Sequence, residues 1–253
     1  MLRCVGRLGA AFGVVALLST IPAKADPSWT GFYIGAHGGY GWSDWDGYAG
    51  TTAGTNPVTV IDGANDPYRT LSDEGWFGGA QLGFNLQNGQ FVFGIEGDIS
   101  WADIDAGGQL DAGGPLPASL WEKQHDLSLD YFGTARARLG VAVGSFLPYV
   151  TGGFAWGKTS GDLAVAYSNN TGLVGTSYAS ADETHTGWVV GGGVEWALAG
   201  SWSLKAEYLH LDLGEADYAF SGTVFNGDPF DTDSFRSDLT VDTVRVGINY
   251  QLD

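Results

Sequence analysis

From Asp126 to Val143 the side chains alternate along the chain, and no α-helix sorts residues in this way. Leu127, Leu129, Tyr131, Ala135, Ala137, Leu139, Val141 and Val143 fall on one face, with Ser128, Asp130, Phe132, Thr134, Arg136 and Arg138 on the other. The same period of two returns in Phe91–Trp101, where Phe93, Ile95, Ile99 and Trp101 oppose Glu96 and Asp98. In Trp202–His210, Leu204, Ala206 and Tyr208 oppose Lys205 and Glu207, and near the C-terminus Val244, Val246, Ile248 and Tyr250 oppose Arg245 and Asn249. Trp188–Trp196 sets Val190 and Val194 against Gly191, Gly193 and Glu195. Trp29–Trp42 and Trp76–Leu86 carry the pattern too, with Tyr33 and His37, and Gln81 and Asn85, on the polar faces. Leu147–Lys158 is strand-like without a clear separation of faces, which brings the count of expected strands to eight.

The connections turn eight strands into an architecture. Tight turns are expected at Gln87-Asn88-Gly89-Gln90, Gly144-Ser145-Phe146 and Leu198-Ala199-Gly200-Ser201, the first carrying the Asn-Gly pair typical of a two-residue hairpin. Between them lie long links, Asp44–Glu74, Ala102–His125, Thr159–Thr184 and Asp212–Ser237. Alternation of short turn and long loop is the plan of an up-and-down transmembrane β-barrel, with periplasmic turns below and extracellular loops above. The expected fold is therefore all-β: a single eight-stranded antiparallel barrel with four long extracellular loops.

The N-terminal segment places the chain in the envelope. Arg3 and Arg7 precede an apolar run, Leu8–Leu18, and Ala23-Lys24-Ala25 supplies a small-x-small cleavage pattern. The run is shorter than the roughly 20 residues a membrane helix needs. Residues 1–25 read as a cleaved signal peptide and 26–253 as the barrel domain. Cys4, the only cysteine, leaves with the signal peptide, so no disulfide would hold the exported chain together.

Charge narrows the role. The chain carries 29 acidic and 11 basic residues, a formal net charge of −18, which repels nucleic acid. Aromatic residues nevertheless make up 13 % of it, too many for an acidic disordered chain. In hydrocarbon every backbone polar group needs an internal partner, so a spanning sheet must close on itself. The tryptophans, among them Trp29, Trp42, Trp76, Trp101, Trp156, Trp188 and Trp202, fall mostly near expected strand ends, where interfacial girdles belong. A soluble barrel of the opposite sense would have to pack these aromatic residues into a narrow interior while exposing a charged face of mixed sign.

With those segments in place, the chain resembles the alphaproteobacterial small outer-membrane proteins of the RopB-like, porin-like barrel family. The resemblance rests on Trp29-Thr30-Gly31-Phe32-Tyr33-Ile34-Gly35 with Gly39-Tyr40-Gly41-Trp42, Phe93-Gly94-Ile95-Glu96-Gly97-Asp98 and Arg136-Ala137-Arg138-Leu139-Gly140. It continues through Pro148-Tyr149-Val150-Thr151-Gly152-Gly153, Gly187-Trp188 to Glu195-Trp196, and Lys205-Ala206-Glu207-Tyr208. It implies an abundant barrel of the outer membrane that supports envelope integrity, is folded by the barrel-assembly machinery and sits among lipid and lipopolysaccharide. Some such relatives bind haemin or host surfaces.

The constellation most open to chemistry is the set of charges on the polar faces: Glu96, Asp98, Asp130, Arg136, Arg138, Glu195, Lys205, Glu207 and Arg245. Facing inward, they would either seal the lumen as a salt-bridged plug or line a small pore, and eight strands leave little open space between them. Enzymatic activity is not expected. His37, His125, His185 and His210 have serines such as Ser128, Ser180 and Ser203 nearby in sequence, but no nucleophile elbow accompanies them. Gly35-x-x-Gly38-Gly39 lies inside a strand and precedes no helix, so it cannot cradle a phosphate. No cofactor or dedicated metal site is expected. The loop pairs Asp44-x-Asp46, Asp103-x-Asp105 and Asp231-x-Asp233 lack the remainder of a calcium loop, and diffuse divalent bridging to lipopolysaccharide phosphates is the most they suggest.

Overall fold

A computed structural model describes residues 27–50, 69–113, 120–169, 172–219, 221–223, 229–230 and 234–252. The expected signal peptide and the Asp231-x-Asp233 pair lie outside them. Eight long strands form the wall: β1 (Gly31–Gly50), β2 (Arg69–Asn88), β3 (Phe91–Gly113), β4 (Leu120–Val141), β5 (Phe146–Asn169), β6 (Gly172–Ala197), β7 (Trp202–Ala219) and β10 (Ser234–Leu252). Each pairs antiparallel with its neighbours, and β10 returns to β1 to close the cylinder. Two short strands, β8 (Ser221–Thr223) and β9 (Pro229–Phe230), add to the outer part of β6. The tight turns fall where expected, and Gly89, Gly144 and Gly200 each take a positive φ there, which a side chain would oppose.

The strands are longer than the sequence pattern predicts. They run for 18 to 26 residues, where a bilayer needs only about 9 to 11. At about 3.3 Å per residue and a tilt near 45°, the 20 residues of β1 rise about 47 Å, well above a hydrocarbon layer of about 30 Å. Much of what reads as loop between Asp44 and Glu74, Ala102 and His125, Thr159 and Thr184, and Asp212 and Ser237 is therefore strand.

Two sections follow one another along the same strands. In the lower section Phe32, Ile34, Leu82, Ile95, Val150, Val190 and Val246 point outward and stay exposed, while polar residues turn inward. Trp42, Trp76, Trp101 and Trp188 mark its upper edge on the outside, as interfacial aromatics do. Above them the polarity of the two faces inverts. On β7 Ser203, Lys205 and Glu207 face the lumen, and Leu209, Leu211 and Leu213 continue the same inward row. On β10 Arg245 and Thr243 are followed by Val241 and Leu239, with Asp242 and Asp238 outside. The upper section is apolar within and polar without, the sense of a barrel surrounded by water.

Closure changes at the same level. The β2–β3 ladder ends at Trp76 opposite Asp103, and the β6–β7 ladder ends at Trp188 opposite Asp212. Higher up, β7-β10-β1-β2 and β3-β4-β5-β6 continue as two sheets, the second extended beyond β6 by β8 and β9. Trp45, Phe77, Leu209, Leu211, Leu213, Leu239 and Val241 of one pack against Ile104, Leu129, Phe132, Ala155 and Val189 of the other. The two ladder ends have the same makeup. A Cβ on Gly75 would lie 1.9 Å from the Asp103 carbonyl oxygen, and one on Gly187 would lie 1.8 Å from that of Asp212. Only glycine permits the strands to approach so closely there.

Candidate functional site: the charged layer of the lumen

The charged residues of the polar faces meet halfway up the barrel because β3, β4, β6, β7 and β10 each present alternate residues to a narrow interior. Glycines on the inner face give them room: a Cβ on Gly39 would stand 2.8 Å from that of Arg245, and one on Gly83 2.3 Å from the Tyr33 ring. Glu96, Asp98, Glu195 and Glu207 supply the negative charges of this layer, and Arg136, Arg138, Lys205 and Arg245 the positive ones. The two sets balance, and every one of these residues is buried.

Four of them form a closed circuit. Glu96 stands directly across the ladder from Arg136, and Glu207 directly across from Arg245. Each arginine contacts its neighbouring glutamate and also reaches across the lumen: Arg136 Nη1 lies 3.0 Å from Glu207, and Arg245 Nη2 lies 3.6 Å from Glu96. Asp98 joins both guanidinium groups, at 3.0 Å from Arg136 and 3.3 Å from Arg245. Lys205 donates to both oxygens of Glu96 at 2.9 and 3.0 Å. Tyr33 donates to Glu96 (2.7 Å) and Tyr149 to Glu207 (2.8 Å).

Beneath the circuit, Arg138 bonds Glu195 at 2.9 Å and Asn85 at 2.9 Å. Its guanidinium sits between the Tyr33 and Tyr149 rings, 5.0 and 5.1 Å from their centroids. A cation held between two aromatic faces gains attraction that survives the loss of water. Asn249 adds a bond to Glu195 (2.8 Å), and Gln81 links Asn249 (2.6 Å) to His37 (2.6 Å). Such a layer is held together by many partners at once, so removing one charge strands the others.

Asp130 does not join it. A shift of register between Leu129 and Tyr131 reverses the phase of β4, so that Leu129 and Phe132 both turn inward. Asp130 is left half-buried at the bulge, accepting bonds from Ser128 (3.4 Å) and Ser160 (2.7 Å). Leu129, which strict alternation assigns to the outer face, lies in the upper apolar cluster. Trp29 departs from the girdle as well: it folds into the base of the lumen against Val92 and Leu147. The indistinct faces of β5 resolve with Leu147, Tyr149, Thr151, Ala155 and Thr159 inside and Phe146, Val150 and Phe154 outside. Tyr149 and Thr134 belong to the charged layer although their types gave no sign of it. Their inward register relative to Arg136 and Arg138 is the only signal that could have found them.

Comparison with known proteins shows the family of the chain. The family model described as an outer membrane protein beta-barrel domain matches residues 10–251. The 31 kDa outer-membrane immunogenic protein of Brucella melitensis biotype 1 is 33 % identical over 232 residues, covering 88 % of this chain and 84 % of that protein. The 22 kDa outer membrane protein of Rhizobium leguminosarum bv. viciae is 27 % identical over 227 residues, covering 90 % and 80 % respectively. Among solved structures, the outer membrane protein OprG from Pseudomonas aeruginosa aligns over 88 % of this chain and 97 % of its own, at 14 % identity and a TM-score of 0.44.

Proposed function

Since the chain belongs to the outer membrane protein beta-barrel domain family, we propose that it serves the outer membrane as a closed structural barrel that strengthens the envelope, its lumen sealed by the charged layer. The observation that carries this reading is the stacking inside the cylinder. Trp29, Val92 and Leu147 fill the base, four acids and four bases fill the middle, and the apolar cluster fills the top. An ion entering from the upper end meets the apolar cluster first, and one entering from the base meets charges that already hold partners. Each layer opposes passage for a different reason.

The test is single-channel conductance of the folded protein in a planar bilayer, with the heat-induced shift in gel mobility as the folding control. A heat-modifiable protein without steady current is expected. A reproducible ion-selective current through the wild-type protein would overturn the sealed barrel in favour of a small porin. Arg138→Ala, which strands Glu195, is expected to lower the unfolding temperature without creating a current.

A further inference from the structure

Residues 27–30 precede β1 and turn into the base of the lumen. Their contacts fall into three groups, which need different numbers of strands in place. The first group is local. The Trp29 backbone N–H donates to Gln87 Oε1 (2.9 Å), and the Gln87 backbone N–H donates to Thr30 Oγ1 (2.9 Å), fastening the segment to the end of β2. The second group crosses the lumen. Trp29 is 5 % exposed and forms one apolar cluster with Val92 on β3 and Leu147 on β5. The third group belongs to the seam. Gln251 on β10 donates to the Thr30 carbonyl at 2.7 Å, which requires the last strand to lie beside the first.

The cluster across the lumen orders these events. Within the eight-stranded wall β5 is four strands from β1 in either direction, so the two face each other across the lumen. In a flat sheet they would stand four strand spacings apart, about 19 Å. Leu147 and the segment leading into β1 share a cluster only once the sheet has curled. No described member of that cluster comes from β7 or β10. Burying a tryptophan is among the larger apolar gains that one side chain offers, so the curl is favoured before the seam exists.

We propose that residues 27–30 are a folding strap, in which Trp29 draws β1–β5 into a curve and so brings β1 into position to receive β10. The strap acts whether or not the lumen conducts. The test uses the protein purified from outer membranes, unfolded in urea and refolded into phosphatidylcholine vesicles. Folding and unfolding rates are read from the heat-modifiable band. Removing a contact already present in the transition state slows folding, whereas removing a later one hastens unfolding. Trp29→Ala is expected to slow folding about tenfold or more and to change unfolding less. Lys205→Met supplies the late reference, since this amine on β7 reaches Glu96 on β3 (2.9 Å) only across the closed lumen. It is expected mainly to hasten unfolding. If Trp29→Ala does not reach the folded form, the rates are read on Trp29→Leu, which keeps part of the apolar contact. An unfolding rate raised more than the folding rate is lowered in the Trp29 variant overturns the proposal, because the segment then seats after closure. Equal slowing of folding in Lys205→Met overturns it too, because the wall would then close as the segment seats.

Discussion

The two sections of the barrel bury opposite kinds of side chain with the same strands. In the lower section the surroundings are hydrocarbon, and Lys205, Glu207 and Arg245 find shelter inside while Leu204, Val244 and Val246 face lipid. Two turns of the alternation higher, Leu211 and Leu239 take the inner positions, and Asp242 and His210 share a 2.8 Å contact on the outer face. The difference teaches that inward and outward are not polar and apolar labels. Each strand buries whatever its surroundings reject, and the exchange occurs at the tryptophan girdle.

The largest effect should come from breaking the lower section. Arg245→Ala leaves Glu207, Asp98 and Glu96 short of a partner, and is expected to cost about 3–5 kcal/mol, read as a lower midpoint in urea unfolding. Leu211→Ala tests the upper section and should cost about 2–5 kcal/mol, in the manner of any buried leucine. The comparison is sharpened by where the loss appears. Hydrogen exchange should rise around Leu209–Leu213 in Leu211→Ala and across the whole wall in Arg245→Ala. Equal patterns would mean that the sections do not melt separately. Gly187→Val presses a side chain against the Asp212 carbonyl at the end of the β6–β7 ladder and should cost about 1–3 kcal/mol, with protection lost first at Trp188.

The smallest effect concerns pH and belongs to the upper section alone. His185 is buried there, edge-on to Trp45 at 6.3 Å, with Nδ1 3.2 Å from the Gly214 carbonyl. Burial holds its pKa below the ordinary histidine value, against the opposing pull of Gly214, Glu183 and Asp238. A folded-state pKa below the unfolded one means that the unfolded chain binds the proton more readily. Stability is then complete above the unfolded value of about 6.5 and declines as pH falls through it. Protection factors around Thr184–Gly187, corrected for the intrinsic pH dependence of exchange, should accordingly fall from about pH 7.5 to about pH 5, and His185→Phe should abolish the difference. An unchanged pH response in that variant would assign the effect to the outer carboxylates instead.

How much of this was legible in the sequence depends on the section. The lower strands, their turns and eight of the nine charges now in or near the lumen layer could be read from a period of two, because bulky apolar and charged residues alternate there without interruption. Asp130 could not, since a bulge shifts the phase by one residue and leaves no mark on composition. The upper section was also written plainly, in Leu209-His210-Leu211-Asp212-Leu213 and Asp238-Leu239-Thr240-Val241-Asp242. It reads as loop only while the outward face is required to stay apolar. Trp29 misleads for a related reason: a tryptophan near a strand end suits an interface and a lumen base equally well.

The repeated pairing of Glu96 with Arg136 and of Glu207 with Arg245 has a bearing on how the barrel is built. Glu96, Asp98, Arg136 and Arg138 lie on β3 and β4, whereas Glu195, Lys205, Glu207 and Arg245 lie on β6, β7 and β10. Each half of the wall thus carries two acids and two bases and neutralises itself through cross-strand neighbours. A growing sheet of β1–β4 would present no net lumen charge to the lipid, even before its counterpart arrives. Closure then adds contacts across the lumen, such as Arg136 with Glu207, to the local pairs, so that the final step of assembly locks two already balanced halves together.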